Sequence, residues 1–337
     1  AMRQDERSCL EAALADVPLG TLQMERHGAQ EGSSASLSHH FHASTEGKGR
    51  LEVYHVCPGV TAVFASYLAD RAAFRHDALE TVLEIDHCRT GRIGWNMRDG
   101  RAVYLGAGDL CLHSMACCCG SVMTFPTGYS TALSFTVDLA RLGEDLPPAL
   151  RAAGLDPRSL VERFCKAPPL AFPAGAALDC VFFPVYGLPV ELRAASLQLE
   201  AEEMLLCLSR LQPGGREAAQ YFSQQIERVR EIHDLLTGHL DRRYTIEALS
   251  KRYLINTSSL KEVFKAVYGL PIATYMKEYR VHRAMELLRE TDMIIADIAA
   301  QVGYESQGKF TNAFKDVAHM LPTEYRKQCR VSGAGPG

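Results

Sequence analysis

One layout occurs twice in this chain, fifty positions apart, and that repeat constrains the fold more than any other feature. Leu260-Lys261-Glu262-Val263-Phe264-Lys265 returns as Phe310-Thr311-Asn312-Ala313-Phe314-Lys315. Ahead of the later copy, Ile295, Ile298, Ala299 and Val302 recur at helical spacing, which predicts a short helix with one buried face. Gly303 ends it, because glycine takes a left-handed turn without steric cost. A second helix follows with Phe310, Ala313, Phe314 and Val317 inward and Gln307, Lys309, Thr311 and Asn312 outward. Ahead of the earlier copy, Ile246, Leu249 and Tyr253 form the matching first helix, and Asn256 is placed to cap the next one. Two short helices across a tight turn, the second bearing amide and cationic side chains, describe a helix-turn-helix suited to a DNA major groove. A lone helical pair would also suit many other all-α domains; a repeated one is harder to assign elsewhere.

These residues resemble the AraC-type transcription regulators. The resemblance covers 222–330 and rests on Gly303-Tyr304-Glu305-Ser306, then Phe310, Phe314-Lys315, Pro322 and Tyr325-Arg326. It implies two helix-turn-helix units held by a connecting helix and reading successive major grooves on one face of promoter DNA. By position, the DNA-binding residues expected are Ser258, Lys261, Glu262 and Lys265 in the first unit. Gln307, Lys309, Thr311, Asn312 and Lys315 are expected in the second, with Lys315 on the phosphate backbone. The sequence departs from the family at four positions that bear on turn geometry. Ser250 replaces a small alanine, Leu254 stands at the first turn glycine, and His319 and Leu321 replace the glycine and hydroxyl residue before Pro322. The resemblance further implies a homodimer, contact with RNA polymerase, a small-molecule effector, and activation more often than repression.

A chain of 337 residues suits two domains, and 47% apolar content can fill their cores. Charge divides unevenly: 219–330 holds 17 Lys and Arg against 14 Asp and Glu, while the remainder holds 19 against 26. An acidic front and a mildly basic back fit a sensor joined to a DNA reader. No apolar run has the length of a membrane span and the start lacks a signal-peptide layout, so no membrane and a cytoplasmic location are expected. The 11 cysteines then read as free thiols.

The fold class expected is α+β, with an N-terminal cupin-like β-barrel with flanking helices and a C-terminal all-α double helix-turn-helix domain. Residues 1–48 read as a loose arm with one short helix near 8–15. The ligand-sensing and dimerisation domain spans 49–212. Its strands are expected at 51–56, 60–68, 79–88, 101–105, 109–115 and 131–139, where Val, Ile, Phe and Tyr alternate between turn residues. Helices are expected at 157–166, 174–183 and 191–211, the last either capping the barrel or forming a dimer contact. Pro213-Gly214-Gly215 marks a linker at 213–218, the DNA-binding domain follows at 219–330, and 331–337 reads as a disordered tail.

Arg75-His76, Glu80, Leu83-Glu84-Ile85 and Leu105-Gly106-Ala107-Gly108-Asp109-Leu110 loosely resemble the cupin-like sensor half of the same family. Arg75, His76, Trp95, Tyr104, His113 and Phe125 are the ligand-binding candidates, as apolar walls with a few polar handles. No cofactor is called for. A metal-dependent cupin enzyme needs paired histidines that His76, His87 and His113 do not provide, so no metal and no catalytic residue is expected. Adjacent Cys117, Cys118 and Cys119 on one strand would point to opposite faces and not converge on an ion. The rivals are such an enzyme fused to a DNA-binding tail, and a constitutive regulator whose front half only dimerises.

Overall fold

The computed structural model describes residues 2–27, 42–75, 78–118, 120–172, 179–211 and 220–333, in two compact units, Arg3–Ser223 and Gln224–Gly337. Among them no helix is long and apolar enough to cross a membrane.

The N-terminal unit begins with α1 (Met2–Ala13), β1 (Thr21–His27), β2 (His42–Cys57), β3 (Val60–Arg75) and β4 (Val82–Asn96). It continues with β5 (Arg101–Gly106), β6 (Leu110–Ser114), β7 (Val122–Thr124) and β8 (Ser130–Asp138). Helices α2 (Leu139–Glu144), α3 (Pro148–Ala152) and α4 (Pro157–Leu160) follow, then a π-helical turn at Val161–Cys165 and β9 (Leu170–Phe172). Last come α5 (Asp179–Tyr186), α6 (Val190–Arg210) and β10 (Gln220–Phe222).

The loose arm expected at 1–48 is corrected at 2–27 and at 42–48, where β2 already runs. Leu10, Leu14 and Val17 pack on Tyr129, Arg50 pairs with Asp16 at 2.6 Å, and β1 runs parallel to β2. Its charge-rich composition hid three apolar residues at helical spacing. Of the other expected features, 28–41, His76, Cys119, 173–178, the linker 213–218 and 334–337 lie outside the described residues.

The ten strands among the described residues form one sheet. Long β3 and β4 are its spine: β8 and then β7 occupy the space between them, while β6 and β5 line the far side of β4. β9 pairs with β6, and β10 with β5. These strands outrun the expected ones because pairing extends them. Residues 69–75 carry charge but stay extended between β2 and β7.

Cross-strand partners share a face. Leu83, Ile85, Leu112, Phe135 and Val137 meet Leu142, Phe164, Phe182, Leu197 and Met204 of the helices in one core. Here the stripe of α6 is buried against the sheet, leaving Leu192 and Leu199 exposed on its other side. The opposite sheet face gathers Leu51, Ala65, Tyr67, Trp95, Val103, Leu105, Cys118 and Phe125 into a second core. Joining β2 to β5 in one cluster makes the sheet curl about that face.

The C-terminal unit is all helical: α7 (Ser223–Gly238), α8 (Ile246–Arg252), α9 (Thr257–Tyr268), α10 (Ile272–Glu290), α11 (Ile295–Gln301), α12 (Gln307–Ala318) and α13 (Pro322–Gly333). The short strand β10 precedes α7, and α13 carries 331–333 of the expected tail. Pro271 caps the start of α10. That helix contacts α9, α11, α12 and α13, burying Val281, Ala284 and Leu288 with Ile298, Phe310 and Phe314.

The two turns solve one problem with different residues. Gly303 has φ 84°, and a Cβ there would lie 1.9 Å from the Leu240 carbonyl oxygen, so no side chain fits. In the first unit Leu254 itself takes φ 50°. The turn is held by Ser250 Oγ donating to the Ile255 carbonyl at 2.6 Å and by Arg228 Nη1 donating to the Leu254 carbonyl at 2.6 Å. The serine that departs from the family pattern thus braces the turn that lacks its glycine. At the helix exits the roles reverse: Gly269 (φ 83°) ends α9, and His319 (φ 57°) ends α12.

Candidate nucleic-acid interface and sheet interior

Helices α9 and α12 are built alike. Asn256 Oδ1 accepts from the Ser259 amide at 2.7 Å, and Ser306 Oγ from the Lys309 amide at 3.3 Å, so each start is capped by its own side chain. Leu260, Val263, Phe264 and Val267 are buried in α9, as are Phe310, Ala313, Phe314 and Ala318 in α12. Since each residue turns the helix by about 100°, Ser258, Lys261, Glu262 and Lys265 fall on the side away from those anchors. All four are exposed, as are Gln307, Lys309, Asn312 and Lys315, and Thr311 is half-buried. The expected residues therefore gather on two helix faces, one in each unit.

Superposing the repeat sets Lys261 on Thr311, Glu262 on Asn312, Lys265 on Lys315 and Ser258 on Gly308. Gly308 was missed because it has no side chain; the repeat itself could have found it. It lies mid-face on the first turn of α12, and a Cβ there would meet nothing within 4 Å. The backbone is open to close approach there. Lys309 sits on the flank with its ammonium 2.6 Å from Glu305, and the carboxylate also faces Arg243 at 3.3 Å. The Lys309 hydrogen bond and then Arg243 hold Glu305 below the ordinary carboxylate range.

In the N-terminal unit the ligand candidates scatter. Trp95 and Phe125 are buried in the curled core, and His113 points to the same face from β6. Tyr104 does not join them: it pairs with Gly94, on the face opposite Trp95 and Val103, and its ring covers that glycine. Arg75 ends β3.

Around His113 lie side chains that the sequence reading left out. Glu84 is its cross-strand partner, and Asp86 follows two residues along β4 on the same face. Asp86 Oδ2 lies 2.8 Å from His113 Nε2, and Asp86 Oδ1 accepts from Ser134 Oγ at 2.5 Å. Nδ1 faces the Ser114 carbonyl at 3.2 Å. Burial opposes charge on this ring, but its neighbours, with the Asp86 carboxylate hydrogen-bonded to it, hold the His113 pKa well above the usual histidine range.

Cys117 and Cys118 are not on a strand. Met115–Cys117 form a 3-10 turn, and Cys118 closes it with its amide on the Met115 carbonyl. The alternation that would have separated neighbouring thiols is absent, so Cys118 returns toward the face it had been expected to leave. Burial, then Glu84, push its thiol up to about 12, and the sulfur donates to Glu84 Oε2 at 3.4 Å. Alternation in Leu83-Glu84-Ile85-Asp86 was the one available signal that two carboxylates share this face.

A profile described as a helix-turn-helix domain matches residues 249–328, most of the repeat-bearing unit. Over 115 residues the chain is 31% identical to the uncharacterized HTH-type transcriptional regulator YtdP of Bacillus subtilis, covering 34% of this chain and 14% of that protein. Over 103 residues it is 29% identical to the arabinose operon regulatory protein of Escherichia coli, covering 30% of this chain and 35% of that one. Among solved structures, the C-terminal domain of AraT from Geobacillus stearothermophilus aligns at 27% identity over 30% of this chain and 84% of that domain, with a TM-score of 0.29. The chain thus spans well under half the length of these curated relatives. The C-terminal unit is thus a helix-turn-helix domain similar to those of the arabinose operon regulatory protein and related transcription regulators.

Proposed function

We propose that this chain is a sequence-specific, promoter-binding transcription regulator that acts in the cytoplasm as a homodimer, without enzymatic activity. The observation that carries it is the pair of matched exposed faces on α9 and α12, built on one connecting helix that packs against both. The 19 residues of α10 rise about 28 Å, comparable with the roughly 34 Å of one DNA turn, so a rigid spacer of this length serves consecutive grooves. Asn312 and Gln307 offer bidentate pairing to adenine, and Lys261 and Lys309 can reach guanine or phosphate. Lys265 and Lys315 fit phosphates, Ser258 and Thr311 serve as short hydroxyl contacts, and Glu262 accepts from cytosine N4. The N-terminal unit, cupin-like in this reading, holds the effector pocket, with Trp95, Phe125 and His113 on one curled face and Arg75 at the end of β3. Activation through RNA polymerase is the sign the family resemblance favours.

The test starts by selecting binding duplexes from a random pool, then titrates variants against selected and scrambled DNA at several salt concentrations. Asn312→Ala is expected to cost about 1–3 kcal/mol on the selected site alone, and Lys315→Ala to weaken both duplexes while reducing the salt slope by about one. Equal losses on both duplexes for Asn312→Ala, or no selection at all, would overturn the proposal.

A further inference from the structure

Glu84, His113 and Cys118 meet at one point. Their ligand atoms all lie within 4.8 Å of one another. Cys118 Sγ is 3.4 Å from Glu84 Oε2 and 3.8 Å from His113 Nδ1, and that nitrogen is 3.7 Å from Glu84 Oε2. A tetrahedral zinc ion with ordinary bond lengths sets its ligands apart by about 3.5 Å for sulfur to nitrogen or oxygen and about 3.3 Å for nitrogen to oxygen. The three side chains therefore stand within a few tenths of an ångström of a zinc ligand triangle. His113 and Cys118 are 2% and 5% exposed, whereas the Glu84 side chain is 20% exposed and marks the way in.

We propose that Glu84, His113 and Cys118 form a site for one divalent transition-metal ion of the zinc class, with a fourth position left for water or a small donor. Three protein ligands with one open position is the arrangement of accessible zinc sites, and a mixed thiolate, imidazole and carboxylate set suits zinc better than magnesium or calcium. The surroundings add a second, independent mark. A metal-binding imidazole commonly passes its other nitrogen to a carboxylate, which fixes its orientation. Here Nδ1 lies between the Ser114 carbonyl at 3.2 Å and Cys118 Sγ at 3.8 Å, on the side of the triangle, while Nε2 donates to Asp86, itself fixed by Ser134. The Trp95 ring, 5.2 Å from the imidazole, supplies an apolar wall. On loading, the thiol and Nδ1 give up their protons to solvent and the ion takes their place, with no change of oxidation state. The site does not rest on the DNA-binding reading, and it would give the N-terminal unit an ion to sense or a centre on which a small ligand docks.

The experiment uses the full-length chain, kept reduced, dialysed against zinc or cobalt(II), with metal content measured by mass spectrometry and cobalt spectra recorded. One ion per chain and a thiolate-to-cobalt charge-transfer band are expected. Cys118→Ser should abolish the band. Asp86→Asn should weaken zinc about 10–100-fold while keeping the band, as loss of an orienting partner does. Glu84→Gln is the mild variant, since Glu84 is partly exposed, and should lower affinity at least as much with unchanged circular dichroism. Wild-type protein that retains no stoichiometric ion overturns the proposal. So does a band that survives Cys118→Ser, which would place the ion on another thiol such as exposed Cys9.

Discussion

Single residues carry the departures from pattern. Leu254 holds φ 50° with its side chain 79% exposed, so nothing packs to repay a backbone conformation that costs a non-glycine residue roughly 1–2 kcal/mol. Leu254→Gly is expected to raise the stability of the C-terminal unit by up to about 1 kcal/mol, the rest being lost to the freer unfolded chain. Urea melts of the two proteins decide it, and a destabilised variant would mean the turn owes its shape to the leucine. His233 gives a pH dependence. Its ring stacks on Tyr268 at 4.3 Å and bonds the Tyr275 hydroxyl at 2.9 Å, and burial lowers its pKa. The neutral ring is the one accommodated, so its contribution is whole above the unfolded pKa of about 6.5 and is lost as pH falls from there toward the lower folded value. Thermal melts between pH 7.5 and 5 should show this loss, and His233→Gln should flatten it. The sequence made such residues visible only in part: Leu254 announced itself by standing at a glycine position, whereas the bracing by Ser250 and Arg228 is a three-way contact that spacing does not encode.

Elements were more legible where their burial was one-sided. The inward faces of α9 and α12 match the expected Phe264 and Phe314 anchors, both fully buried, because a lone amphipathic helix shows its period plainly. Phe264→Ala and Phe314→Ala are each expected to cost about 3–5 kcal/mol, measured by denaturant unfolding of the C-terminal unit. An unchanged midpoint for either would place that ring elsewhere. The sheet was harder to read. β3 and β4 each pair with two successive strands on one side, so their later halves are extended by neighbours rather than by their own composition. Tyr104 shows the cost of that: its type suited a pocket wall, but the register with Gly94 turns it to the opposite face. The Cys117–Cys119 run was judged by strand alternation, and a single 3-10 turn removed the premise.

At the scale of the whole chain, 224–333 contains its own core and every helix of both reader units, so a fragment begun there is expected to fold and bind DNA. The other unit is less easily cut out. Its outermost pairing places Gln220, Tyr221 and Phe222 against Val103, Ala102 and Arg101, and Ser223 adds its amide to the Gly100 carbonyl. A natural cut at Pro213–Gly215 would strip that cover and leave the β5 backbone as a bare edge, and bare edges recruit strands from other molecules. Of two N-terminal fragments, one stopped at Leu211 and one at Ser223, only the shorter is expected to form open-ended aggregates as concentration rises, by light scattering. Equal behaviour would show the strand to be dispensable. The last four residues of the N-terminal unit thus act as a selvedge, and any fragment cut to hold that unit alone should treat them as part of the cloth.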